Sequence, residues 1–328
     1  MLSIERIFLM NKLHLTNLPT PIHYFDIYES NNISIKRDDL TDLALGGNKA
    51  RKLEYFASDA LMNKCDCIVT YGGSQSNHCR ITAAAASKYG LKAVLILSKS
   101  DHIDYNGNYF LYSIFDAEVV WTETSEVPET INNTLSQLKE RGYNPYFVQG
   151  GGHGNLGTHA YKVAYKEILE WQIKENLKYD YIFLASGTGT TQAGLEIGSR
   201  INSPDTRIVG ISVARDKNRG TDVIYESITD YCIAQNIDLN IEKEEICFDD
   251  SYVGKGYADI YPKVIDTIKH VAQKSAILLD PVYTGKAFYG MLDTIKRTNI
   301  RNKNVLFLHT GGTPLIFNYA KAFEGKLN

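Results

Sequence analysis

Four apolar runs in this 328-residue chain end in glycine-rich turns: YGGSQSN (71–77), VQGGGHGN (148–155), ASGTGTTQ (185–192) and HTGG (309–312). The runs that lead into them, CDCIVT, NPYFV, YDYIFL and VLFL, are nearly continuous in branched and aromatic residues. A strand that is apolar at almost every position has both faces covered, the mark of a parallel sheet between helix layers. Further strands are expected at 91–97, 117–122, 207–214 and 275–280, with helices after Asn48, after Asn77 and over 127–142. The fold class that follows is α/β, in two lobes, each a largely parallel sheet covered by helices. Glycine turns at the carboxyl ends of such strands put bare backbone where open α/β sheets collect ligands. A cleft between the lobes is the expected place for the chemistry.

Composition narrows the function classes. Lys and Arg number 35 against 38 Asp and Glu, a formal charge of -3, with no long basic tract to face nucleic acid. No apolar run reaches the ~20 residues that span a bilayer. The opening stretch MLSIERIFLMNKLHL is broken by Glu5, Arg6, Asn11 and Lys12 and lacks the apolar core of a signal peptide, so a cytoplasmic protein is expected. The five cysteines, at 65, 67, 79, 232 and 247, form no second C-x-x-C or His pair, so reduced thiols are expected rather than a zinc site.

Two stretches carry chemistry. In YIFLASGTGTTQAG a strand ends at Ser186 and a helix follows; Gly187 and Gly189 free backbone N–H groups, and Thr188, Thr190 and Thr191 add hydroxyls. With the helix dipole this makes an anion cup. It is not a Walker loop, which would continue with Lys, nor a G-x-G-x-x-G turn, because Gln192 stands at the third glycine. A plain tight strand-to-helix turn is the competing reading. The second stretch is GGNKARKLEYFASDALM, where Leu53, Phe56, Ala57, Ala60 and Leu61 recur at helical spacing. Lys49, one turn before Leu53, lies on the apolar side, where desolvation lowers a lysine's pKa toward a nucleophilic amine. A snorkelling lysine at a helix start is the competing reading. An anion cup together with a desolvated lysine suits pyridoxal 5'-phosphate (PLP).

Four motifs in order, KRDDLTDLALGGNKARKLE, YGGSQSNH, GTGTTQAG and LLDPVYTGKAF, together with HTGGTP, resemble the PLP enzymes grouped around D-cysteine desulfhydrase and 1-aminocyclopropane-1-carboxylate deaminase. The resemblance runs from about residue 15 to the C-terminus. It implies the tryptophan synthase β type of fold, with a large PLP-binding lobe of 1–51 and 156–328 and a small lobe of 52–155. It implies a Schiff base on Lys49, Asn77 at the ring 3'-oxygen, Thr310 at the pyridine nitrogen, and the 187–191 turn on the phosphate. It implies Ser76, Asn77 and His78 at the substrate carboxylate, with Ser76 able to relay a proton. Capping of the following helix is the other reading of Ser76 and Asn77. Tyr283 and Tyr257 match two family tyrosines near the ring and substrate, although core or surface aromatics are common among 22 tyrosines.

Two positions bear on the substrate. The ring-opening members of the family carry an acid after the tyrosine where this chain has Thr284, as in the desulfhydrase-like branch. His153 and Gly154 replace a small polar pair that in the family lies near the substrate, and an imidazole there could pair with an acidic side chain. The implied activity is β-elimination from a small amino acid, D-cysteine giving pyruvate, sulfide and ammonia, in a cytoplasmic homodimer. Ring-opening deamination, cysteate sulfo-lyase activity and a non-catalytic nucleotide-binding role are the alternatives.

Overall fold

The computed structural model describes residues 12–99 and 105–324. The N-terminal stretch read above for a leader falls largely in residues 1–11, outside the described residues. The elements run β1 (Ile22–Tyr28), β2 (Asn31–Lys36), α1 (Asn48–Met62), β3 (Cys67–Gly73), α2 (Asn77–Lys88), β4 (Lys92–Ser98) and α3 (Gly107–Ile114). They continue with β5 (Glu118–Thr122), α4 (Val127–Glu140), β6 (Pro145–Val148), α5 (Asn155–Lys174), β7 (Tyr181–Ser186), α6 (Thr190–Asn202) and β8 (Arg207–Ser212). The remainder is α7 (Lys217–Ala234), β9 (Cys247–Asp249), α8 (Pro262–Ser275), α9 (Thr284–Arg297), β10 (Asn304–Leu308) and α10 (Leu315–Asn318).

Two sheets form, ordered β1-β2-β10-β7-β8-β9 and β5-β4-β3-β6. Every pairing is parallel except β1 with β2. Period-two alternation explains the continuous apolar runs. In β7, Phe183 and Ala185 face the α8–α9 layer with Phe288 and Met291. Ile182 and Leu184 face the opposite layer, where Tyr161, Tyr165 and Ile168 of α5 pack. The smaller sheet is covered likewise, by α1 and α2 on one face and by Leu138 of α4 on the other.

The segment 275–280, expected to be a strand, is not one. Ile277 and Leu279 are buried as a strand's alternate residues would be, but they pack with residues of α8 and α9 and join neither sheet. It runs instead as a connector into α9. The sequence reading also passed over β1, β2 and the three-residue β9.

Chain order reverses at β3 in one sheet, where β4 and β6 lie on opposite sides, and at β7 in the other, where β8 and β10 do. The turns after these strands face one another. Among the described residues no helix is long and apolar enough to cross a membrane.

Candidate active site

Turns from both sheets enclose a cavity of about 400 Å³. Gly72, Gly73 and Ser76 after β3, Gly150 and Gly151 after β6, Ser186 to Gly189 after β7, and Thr310 and Gly311 after β10 all line it. Among the described residues no carboxylate does.

The approach to Lys49 answers why two glycines precede it. Gly47 has φ 119° and Gly311 φ 91°, and a Cβ on Gly311 would lie 2.5 Å from Gly47 Cα. Only glycine lets these turns touch. Asn48 N–H then donates to Thr310 O (3.0 Å) and Asn48 Nδ2 to Thr191 Oγ1 (3.1 Å). These bonds seat the first turn of α1 between the two sheets. Arg51 anchors it further, pairing with Asp38 (2.8 Å) and Glu167 (2.7 Å) in a buried cluster that also holds Lys36.

Lys49 lines the cavity half-buried, and burial lowers its pKa to about 8. The helix is buried almost all round over its first three turns, and the fully buried lysine is Lys52. Lys52 Nζ donates to Thr190 Oγ1 (2.6 Å) and reaches Gly151 O (3.5 Å). Burial and the neighbouring Lys49 charge hold its pKa well below the ordinary lysine value. Two lysine amines, one half-buried and one fully buried, with no carboxylate among the described lining residues, suit an anion. The sequence reading passed over Lys52; its i,i+3 relation to Lys49 was the signal that places both on one side.

The anion cup lies opposite. Gly187, Thr188, Gly189 and Thr191 line the cavity, and no side chain caps the N-terminus of α6, so its first N–H groups are open to a ligand. The Thr190 hydroxyl is turned away, accepting from Lys52 and donating to Gly152 O (3.4 Å). Gly189 adopts φ 92°, and a Cβ there would meet Val223 and Ile224 of α7 rather than the cavity. That position is glycine for its backbone conformation, not to admit a phosphate.

At α2, Ser76 is the N-cap, its Oγ accepting from Cys79 N–H (3.2 Å). Capping and a cavity role coexist, because the hydroxyl proton stays free to donate. Asn77 lines the cavity beside it. His78 Nε2 donates to Thr70 Oγ1 (2.8 Å), because the Thr70 proton is committed to Val148 O (2.7 Å). His78 Nδ1 is then a bare buried acceptor. Burial, followed by the charges of Lys49 and Lys52, keeps this imidazole neutral.

Tyr257 and Tyr283 line the far wall with their hydroxyls bonded to each other. Burial raises Tyr283 well above the usual phenol value, while Tyr257 keeps more than half of its surface exposed. Thr310 lines the cavity too. Thr284 does not: it is fully buried, its hydroxyl donating to Asp280 Oδ1 (2.7 Å) and accepting from Asp280 N–H (2.8 Å). His153 also lies outside the lining, its Nδ1 against Thr188 O (3.1 Å), with burial lowering its pKa. Among the lining residues that the sequence reading did not single out are Tyr71 and Arg215. Arg215 sits in a charged stretch, ARDKNRG, that reads as a solvated turn, yet its guanidinium reaches back to Gly187 O at the cup.

Comparison with known proteins agrees with this geometry. Residues 13–311 match the family described as pyridoxal-phosphate dependent enzyme. A Pyrococcus furiosus protein provisionally named 1-aminocyclopropane-1-carboxylate deaminase is 36% identical over 94% of each chain. A D-cysteine desulfhydrase of Klebsiella pneumoniae subsp. pneumoniae is 34% identical over 97% of this chain and 99% of its own. The crystal structure of an ACC deaminase homologue superposes with a TM-score of 0.88 at 34% identity, covering 98% of both chains. The chain belongs to the pyridoxal-phosphate dependent enzymes of tryptophan synthase β-like fold, in the group that holds the 1-aminocyclopropane-1-carboxylate deaminases and D-cysteine desulfhydrases.

Proposed function

We propose that this enzyme eliminates the β-substituent of a small amino acid, acting on D-cysteine with one water to give pyruvate, sulfide and ammonia, as a cytoplasmic homodimer. Relatives bearing both activity names match at nearly the same identity, so the choice rests on the pocket. The observation that carries it is that, among the described residues, no carboxylate lines the cavity. Asp280, three residues before the lining Tyr283, spends its oxygens on the N–H groups of Val282, Tyr283 and Thr284 and on the Thr284 hydroxyl. A pyridine nitrogen held near Thr310 would meet a neutral hydroxyl rather than a carboxylate.

The residues fit the cofactor. The open N–H groups of the 187–191 turn, with Lys52 behind them, would hold the phosphate; Lys49 would carry the aldehyde, and Asn77 would face the 3'-oxygen. Bound PLP supplies an electron sink for a carbanion at Cα. Without a protonated ring that sink is weak, which suits loss of a thiolate better than cleavage of a carbon–carbon bond. Lys49 moves the Cα proton, its lowered pKa leaving a share of neutral amine near neutral pH. Ser76 and the first N–H groups of α2 bind the substrate carboxylate. The Tyr257–Tyr283 pair, on the cavity wall, would offer a phenol proton to the leaving substituent.

The test is a substrate panel scored for keto acid and ammonia, with both enantiomers of cysteine, β-chloroalanine, cysteate and the cyclopropane amino acid. Turnover of D-cysteine and β-chloroalanine at least ~100-fold above the cyclopropane supports the reading. Fast cyclopropane deamination with inert D-cysteine overturns it. Arg215 favours one second reading, an anionic leaving group such as the sulfite of cysteate, since it lines the cavity with no carboxylate beside it. Preference for cysteate in the same panel, lost in Arg215→Met, would select that reading.

A further inference from the structure

Arg80 of α2 is a fully buried guanidinium with no ion pair among the described residues. Burial lowers its pKa to about 10, and its Nε has no hydrogen-bond partner. A cation kept in this setting is costly, and a neutral side chain would fill the space with less desolvation. Its bonds indicate what it is for. Nη1 donates to Asn77 Oδ1 (2.9 Å) and to Asn108 Oδ1 (2.6 Å), and Nη2 donates to Gly46 O (2.7 Å). Asn108, also fully buried, donates through Nδ2 to Asn77 Oδ1 (2.8 Å) and to Gln75 O (2.8 Å), while its backbone N–H donates to Gln75 Oε1 (2.9 Å).

The orientation of an asparagine amide is usually a matter of assignment. Here chemistry settles it. A guanidinium has no acceptor, so both amides must turn their oxygens toward Arg80. Asn77 Oδ1 is then fully engaged by two donors, and its NH2 is the group presented to the cavity. The same guanidinium ties down Gly46, in the turn that delivers Lys49.

We infer that Arg80 is a positioning residue: through Asn108 and Asn77 it fixes an amide donor, polarised by a buried positive charge, against the 3'-oxygen of PLP. This rests on the reading that Asn77 meets that oxygen. A donor so placed favours the form of the lysine-bound cofactor in which the shared proton sits on the imine nitrogen and the oxygen is negative. That form absorbs in the visible, whereas the form with the proton on oxygen absorbs in the near ultraviolet.

The experiment compares the two bands in holoenzyme at one fixed pH, with cofactor content by mass and folding by circular dichroism. In Arg80→Met the visible-to-ultraviolet ratio should fall about tenfold, the worth of one charge-assisted hydrogen bond. Arg80→Lys should fall between, and Asn77→Ala should move the same way as Arg80→Met. A merely structural arginine would lower the melting temperature and leave the ratio alone, and a folded, loaded Arg80→Met with an unchanged ratio, while Asn77→Ala shifts, overturns the inference. No shift in Asn77→Ala would instead mean that Asn77 does not meet the 3'-oxygen, and the site reading would fail. If Arg80→Met does not fold, Asn108→Ala decides, because it removes one of the two donors that orient Asn77. Its ratio should fall about threefold, and no change there overturns the inference as well.

Discussion

A lysine whose ammonium titrates at about 8 makes the loading of the cofactor pH-dependent in a defined direction. Only the neutral amine attacks an aldehyde, and below the pKa its fraction drops tenfold per pH unit. The rate at which cofactor-free enzyme takes up PLP should therefore rise about tenfold from about pH 6 to 7 and level off above about pH 8. Stopped-flow absorbance reads the rate, and hydride reduction should leave the phosphopyridoxyl mass on the peptide of Lys49, not on Lys52. A rate still climbing at about pH 10 would mean an amine of ordinary pKa. Lys49 was legible because GGN precedes it and a helical stripe follows. Lys52 and Arg80 were not, for a shared physical reason. A face argument separates buried from solvated positions only on a half-buried helix, and α1 and the start of α2 are buried nearly all round. Charges there look surplus in sequence and are committed in space.

Burial at the scale of an element also decides how α1 is held. By itself it would raise the pKa of Asp38; the charges of Arg51 and Lys36, with hydrogen bonds from Arg51 and Tyr161, outweigh it and hold the carboxyl below its ordinary value. Arg51→Met leaves Asp38 and Glu167 short of their main partner in a buried cluster, at a cost of about 3–5 kcal/mol. Urea midpoints of the two proteins measure it. Because the folded pKa is depressed, the stabilisation is present above the ordinary carboxylate pKa of about 4 and is lost as pH falls through the folded value. The gap between wild type and variant should narrow below about pH 4. A gap that widens in acid would show that Asp38 is not the carboxylate Arg51 serves. Elements themselves were read well where a buried run was also a strand. The miss at 275–280 came from a buried connector: Ile277 and Leu279 carry a strand's pattern but pack with α8 and α9, and nothing local separates that from a place in a sheet. Thr284 was misjudged similarly: its hydroxyl closes the turn with Asp280, a contact four residues back that motif comparison overlooked.

For the whole molecule, a cavity built from strand ends of both sheets means that the cofactor should stabilise both lobes together. The two tryptophans report them separately, Trp121 in β5 of the smaller sheet and Trp171 in α5 against the larger. In Trp121→Phe and Trp171→Phe, PLP at a hundredfold excess over its dissociation constant should raise the unfolding free energy by about 2.7 kcal/mol. Fluorescence melts should show the same shift from either tryptophan; a shift confined to one would mean the site belongs to a single lobe. Close packing around the cavity has one further consequence. Gly311 rests on Gly47, main chain against main chain, and a Cβ on Gly151 would lie 2.6 Å from the Thr188 methyl. A methyl added at Gly311 pushes away the turn that delivers Lys49, and one added at Gly151 is a wedge against the turn of the anion cup. The width of the slot is thereby set by positions that carry no Cβ, a dimension that substitution there can only widen, so these glycines gauge how flat a molecule must be to enter.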